Sequence, residues 1–185
     1  DKNGKAIDIV KRVQGTGEKL IEDFMIAANE TVATHISNMD LPFIYRVHDL
    51  PNAEKIEDFT NLIKQMGYQV HTNLNKITPV TMQNLLNEFR DKDEFVILSD
   101  MLLRSMKKAI YSTNNIGHFG LASKNYTHFT SPIRRFPDLT VHRLLRTYLF
   151  ENRIDMETIN FNAKYLIDVA EHSSETEVNA IEAER

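Results

Sequence analysis

Pro132 and Pro137 bracket the segment that most constrains this chain, Thr130-Ser131-Pro132-Ile133-Arg134-Arg135-Phe136-Pro137. Each proline fixes its own φ and pushes the residue before it, Ser131 or Phe136, out of helical geometry. The stretch between them is therefore a stiff, non-helical elbow. Beyond it, Pro137 suits a first helical position, and Asp138 complements the positive end of the helix dipole. Arg134 and Arg135 are thus presented on a rigid turn beside a helix N-terminus, where anions bind readily. Arginine forks match phosphate oxygens bidentately, so the pattern points to phosphate recognition. A solvated surface or a carboxylate partner fits the same spacing, and spacing alone leaves all three open.

Charge distribution bears on that choice. The net charge of −4 hides a basic block. Residues 101–150 carry eight Lys+Arg against one acid, Asp138, a local net of +7, while residues 1–50, 51–100 and 151–185 sum to −2, −3 and −6. A nucleic-acid partner needs a local basic surface rather than a basic protein. The chain has no cysteine, which excludes a disulfide-linked partner and thiolate metal sites and agrees with a cytoplasmic location. No apolar run approaches the roughly 18 residues of a membrane span, and the polar start is unlike a signal peptide.

Taken in order, the chain reads as helix-rich with a few strands. Asn3-Gly4 is a turn signal, and Ile7, Ile9 and Val13 belong to a strand-like run. A helix follows from Thr16, with Ile21, Met25, Ala28, Val32 and Ile36 as one buried stripe. On spacing, Glu22 and Asn29 form a solvated polar face of that helix. Phe43 to His48 alternates like a half-buried strand, in which Arg46 and His48 are read as structural. Pro51 opens a helix with Ile56, Phe59, Ile63 and Met66 inward and Gly67 as its stop. Thr78 caps another, begun by Pro79 and burying Leu85, Leu86 and Phe89. Asp91-Lys92-Asp93-Glu94 reads as a solvated junction, because it lacks the glycine and ligand spacing of a calcium loop. A helix over Phe95–Lys108 comes next, then two strands, AIYSTN and LASKNYTHF. The helix over Pro137–Phe150 packs Val141, Leu144, Leu145, Tyr148 and Leu149. Two separate helices, Met156–Val169 and Ser173–Arg185, end the chain. His118, His128 and His142 lack the spacing of a zinc site, so no metal ligand is assigned.

The wording of the basic block adds to this reading. HFGLASKNYTHFTSPIRRFPDLTVHRLL resembles the signature of the catalytic domain of the ribonuclease II / ribonuclease R family of 3′-to-5′ exoribonucleases. There the pattern runs approximately H-F-G-L-x-x-x-x-Y-x-H-F-T-S-P-I-R-R-Y-P-D-L-x-V-H-R, and Phe136 stands where tyrosine is common. LIEDFMIAAN resembles the family's L-I-E-E-F-M-x-x-A-N, with Asp23 in place of its second acid. FIYRVH resembles its Y-R-V-H strand. HSSETEVNAIEAER resembles H-x-S-x-x-E-R-x-A-x-x-A-E-R, with Val178 replacing an arginine.

The resemblance implies that residues 1–185 are a fragment, the C-terminal half of an RNB-type catalytic domain, nearer to ribonuclease R. The fold implied is α+β, a helix-rich lobe completing a sheet begun elsewhere. The activity implied is processive, metal-dependent hydrolysis of single-stranded RNA to nucleoside 5′-monophosphates. Arg134 is then the catalytic residue, neutralising charge on the scissile phosphate. Glu22, Lys124, Tyr126, Arg135 and Glu184 are the expected RNA contacts. Mg2+ is expected on an aspartate cluster outside these residues. The alternative is a non-catalytic RNA-binding relative, a lobe clamping single strands through the basic block and Tyr111, Tyr126 and Phe129.

Overall fold

A computed structural model describes residues 7–8, 12–69, 71–72 and 77–184. Helices dominate: α1 (Thr16–Asn38), α2 (Ala53–Gln65), α3 (Pro79–Glu88), α4 (Phe95–Ser105), α5 (Phe136–Leu145) and α6 (Met156–Ala183). Two short strands, β1 (Tyr45–Val47) and β2 (Ile110–Ser112), pair antiparallel with Arg46 opposite Tyr111. The mixed, helix-rich class expected from the sequence is what forms. Ile7 and Val13 are not in a strand. Asn3-Gly4 and Ile9 lie outside the described residues.

Apolar side chains gather in two cores. In the first, Ala33 and Ile36 of α1 meet Phe43, Ile44, Tyr45 and Val47 around β1, Tyr111 of β2, and Val141, Leu144, Tyr148, Leu166 and Val169 from the C-terminal helices. The second joins Ile56, Phe59 and Ile63 of α2 to Met82, Leu85 and Phe89 around α3, Leu98 and Leu102 of α4, and Phe119. Local chemistry sets the helix ends in this second core. Asn52 caps α2 by accepting from the Lys55 amide at 3.1 Å, and Thr78 caps α3 by accepting from Thr81 at 3.1 Å. Gly67 adopts φ +84° just beyond α2, a conformation that glycine takes without steric cost.

Four expectations need correction. The α1 stripe is buried only toward its end, where Ile36 is buried and Val32 packs partly buried against the first core, whereas Ile21 and Met25 are 58% and 39% exposed. The first turns of α1 leave Leu20, Ile21 and Phe24 more than half exposed. Asn29, read as part of a solvated face, is buried. LASKNYTHF is not a strand. Its first residue, Leu121, closes a 3-10 turn, Phe119–Leu121, and the rest is irregular. This irregular stretch is held by single hydrogen bonds from Arg46 N–H to Tyr126 C=O (2.9 Å) and from Thr127 Oγ1 to Ile44 C=O (2.7 Å). Finally, α6 is one continuous helix across the join between its two expected halves, because residues 170–173 carry no breaker and Ala170 and Ser173 pack inward.

Smaller departures follow the same logic. α4 stops at Ser105, and Lys107 leaves the helix to pair with Asp49. The expected helix to Phe150 divides into α5 and a π-helical segment, Arg146–Phe150. There the Tyr148 hydroxyl donates to Pro42 C=O and accepts from Asn162, both at 3.0 Å. Leu149 is 40% exposed, as is Met66 at the end of α2.

His48 carries the structural role expected of it. Its Nδ1 accepts from the Gly120 amide at 2.9 Å, and its Nε2 lies 2.7 Å from Lys107 C=O. A Cβ on residue 120 would stand 2.8 Å from His48 Nδ1. Glycine in the HFGL turn is thus a matter of close approach to a ring 72 residues away.

Candidate nucleic-acid interface

The elbow between the prolines forms as a turn over residues 131–135, with the Arg134 and Arg135 amides on Ser131 C=O at 3.3 and 3.1 Å. α5 then starts at Phe136, one residue earlier than expected. Asp138 in its first turn is fully buried, and its Oδ1 accepts from the Ser131 amide and from Arg135 Nη2, each at 2.8 Å. Arg135 Nε also lies 2.8 Å from Asp138 Oδ2, close enough for an ion pair but not aligned as a hydrogen bond. Asp138 therefore takes the positive end of the helix for itself. Arg135 is the carboxylate partner that spacing allowed. Arg134 is exposed, and no acid among the described residues engages it.

Arg134 lines a cleft of about 470 Å³ between the elbow and α6, with Tyr111, His172, Ser173 and Glu177 in its walls. Glu177 is clamped by Arg46 through a fork, Nη1–Oε2 at 2.7 Å and Nη2–Oε1 at 3.1 Å. The Arg46 guanidinium sits over the Tyr111 ring, 4.6 Å from its centre, directly across the two-stranded sheet. The Tyr111 hydroxyl shares a 2.8 Å hydrogen bond with His128 Nδ1. Burial pushes the Tyr111 hydroxyl up to about 12 and holds His128 down at about 3, the Arg135 and Arg46 charges adding to the latter. A neutral pair thus fills the space behind the arginines.

The expected RNA residues fall into separate places. Glu22 is exposed on α1 and accepts from Gln14 Nε2 at 2.7 Å. Asn29, two turns further along the same face, donates to the Tyr126 hydroxyl and accepts from the Phe129 amide, both at 3.0 Å. That ties the Glu22 helix to the chain five residues ahead of Arg134. Tyr126 is 7% exposed and offers no open ring face. Tyr111 is equally buried, and Phe129 stacks on His142 at 4.4 Å. The aromatic clamp of the alternative reading has no exposed platform in these three rings. Lys124 is exposed in a second cleft, with His48, Asp49 and His118. Glu184 is exposed at the end of α6.

Half of the basic block is internally neutralised. Arg104 pairs with Asp100, Lys107 with Asp49, Arg135 with Asp138 and Arg146 with Glu151. Among the described residues, Lys108, Lys124, Arg134 and Arg143 have no acidic partner. Sequence reasoning passed over Glu177 as a site residue, because nothing in spacing pairs it with Arg46, 131 positions away.

The model of the RNB domain matches residues 1–151. This chain belongs to the RNB family. The RNB chain is 50% identical to Ribonuclease R of Thermotoga maritima over 185 residues, all of this chain and 26% of that protein. Its fold matches Mycoplasma genitalium RNase R in complex with ribose methylated single-stranded RNA at a TM-score of 0.86 and 36% identity, over 94% of this chain and 27% of that one. Yeast Ssd1, a pseudonuclease, matches at 0.62 and 27% identity, over 86% and 21%. The chain therefore spans about a quarter of the length of these relatives. Among the described residues no group of three His, Asp or Glu could hold a metal ion. The described residues of this RNB chain do not furnish a metal's ligands. None of the described helices is long and apolar enough to cross a membrane.

Proposed function

We propose that this chain is the RNA-seating part of a processive, metal-dependent 3′-to-5′ exoribonuclease that releases nucleoside 5′-monophosphates from single-stranded RNA. The observation that carries the reading is Arg134, a guanidinium with no acidic partner among the described residues, on a turn fixed by two prolines and a buried ion pair, beside a cleft large enough for a nucleotide. A cation held in place, with no acid to neutralise it, stabilises charge growing on a phosphate at little reorganisation cost. Glu22 is assigned to the terminal ribose, where a carboxylate accepts hydroxyl hydrogen bonds. Lys124 and Glu184 are assigned to the path of the strand. Arg135 and Tyr126 serve the RNA indirectly, by fixing the elbow and the segment that leads to it. Mg2+ is assigned to carboxylates other than these residues, and the setting to the cytoplasm, which a cysteine-free chain suits.

The test is single-turnover cleavage of end-labelled RNA by a polypeptide that supplies the rest of the family's length. Arg134→Ala lowers the rate by about 10²–10³-fold, the scale for losing one preorganised donor. RNA affinity falls far less, and Arg134→Lys rescues only in part, because an ammonium keeps the charge without the planar fork. Wild-type cleavage by a folded Arg134→Ala variant overturns the assignment. The likeness to a pseudonuclease supports a second reading, RNA binding without chemistry. It holds if RNA is bound but never shortened when magnesium is supplied.

A further inference from the structure

The elbow that carries Arg134 is held at both ends. At its exit, the Ser131 amide and Arg135 both engage Asp138. At its entry stands Phe129, and two side chains grip its peptide groups. The Phe129 amide donates to Asn29 Oδ1 at 3.0 Å, and His142 Nε2 lies 2.9 Å from the Phe129 carbonyl oxygen. His142 belongs to α5, the helix into which the elbow leads, so its grip is local. Asn29 belongs to α1, 100 residues earlier, and its Nδ2 also donates to the Tyr126 hydroxyl at 3.0 Å. One amide thus ties α1 to two points on the approach to the elbow. Asn29 is only 3% exposed. The other buried residues of α1, Ala33 and Ile36, follow one and two turns later and are apolar. A third apolar residue would bury equally well there. A fully paired buried amide instead specifies one geometry, where apolar packing tolerates several.

We infer that Asn29 is a positioning residue for Arg134: through the Phe129 amide it sets where the elbow stands relative to α1, and so where the guanidinium meets a phosphate. The inference rests on the RNA reading of Arg134. Asn29 does not line the Arg134 cleft and offers nothing to a strand bound there. It acts through the elbow alone. Its contribution to the cleavage rate therefore vanishes once the Arg134 guanidinium is removed.

The test is a double-mutant cycle on single-turnover cleavage of end-labelled RNA, in the polypeptide that supplies the rest of the family's length. RNA affinity and melting temperature are measured on each variant. Asn29→Leu keeps the bulk and removes both hydrogen bonds. It lowers the cleavage rate about tenfold, within the roughly 10²-fold that a 1 Å misplacement can cost, and changes RNA affinity less than about twofold. In an Arg134→Ala background the same substitution changes the rate less than about twofold, because two residues acting as one unit are not additive. Asn29→Ser, a smaller polar change whose hydroxyl cannot span both partners, gives the same pattern and carries the cycle if Asn29→Leu does not fold. An equal loss with and without Arg134, or a folded Asn29 variant that cleaves like wild type, overturns the inference and leaves the RNA reading standing. So does a rate that falls in step with RNA affinity and melting temperature, which would make Asn29 part of the fold alone. Wild-type cleavage by Arg134→Ala overturns the RNA reading and the inference with it.

Discussion

Arg134 and Arg135 are neighbours on one elbow, yet Arg135 is folded back onto the buried Asp138 while Arg134 meets no acid among the described residues. The division follows from geometry. Asp138 lies three residues after Arg135, within side-chain reach across the start of α5, and it also takes the Ser131 amide. Removing Arg135 would strand a fully buried carboxylate. Arg135→Ala is therefore expected to destabilise the fold by about 3 kcal/mol, the cost of breaking a buried pair from one side. Urea unfolding measures this directly. Arg134→Ala in the same assay stays within about 0.5 kcal/mol of wild type, as an exposed substitution does. The reverse order would make Arg134 the scaffold.

At the scale of elements, α6 matters most for the cleft. One uninterrupted helix places Leu166, Val169 and Ala170 in the first core and Glu177 beside Arg134. The Tyr111 amide donates to Ser174 Oγ at 3.0 Å, which fixes β2 to the same helix. α3 does a different job. Thr78 and Thr81 exchange the hydrogen bonds of a capping box at its start, and its apolar face serves the second core. Thr78→Ala should cost about 1 kcal/mol of stability, as lost caps do. RNA affinity should be unchanged, because the substitution removes no charge from either cleft. A calorimetric melt and an RNA titration on one preparation check both halves of that statement, and a matching loss of affinity would show that the cores are coupled.

For the whole molecule, packing histidines into the fold at the two clefts makes stability depend on pH. Burial holds His128 at about 3 and His118 at about 4, both below the ordinary value near 6.5, with a His48 charge adding to the shift of His118. Their neutral forms are the folded ones. Their contribution is therefore complete above pH 6.5 and is lost as pH falls toward the folded values, since the unfolded chain takes up protons first. Between pH 6.5 and 5 the loss from His128 is about 2 kcal/mol. His118 adds less, because water reaches it more readily. Thermal melts at pH 7, 6 and 5 should fall steadily, and His128→Asn should flatten the trend. A melting temperature that is level from pH 7 to 5 would mean that these rings are not held neutral.

The sequence by itself determined the family, the elbow and most helix boundaries. Prolines, glycines and capping residues act on their own neighbours, so Pro132, Gly67 and Thr78 do in the structure what they do in any chain. The run from His118 to Arg143 was specific enough to name a likeness before any coordinates. What lay beyond it was the identity of long-range partners. Asn29 is polar at helical spacing, and only the packing of α1 against Tyr126 and Phe129 makes it a buried link. LASKNYTHF has strand-like composition, but single hydrogen bonds to β1 and His48 hold its segment in another shape. Two adjacent arginines are equivalent in a sequence. Tertiary structure separated them, and it brought Arg46 to Glu177 across 131 positions, because ion-pair choice depends on which charges the packed core brings within reach.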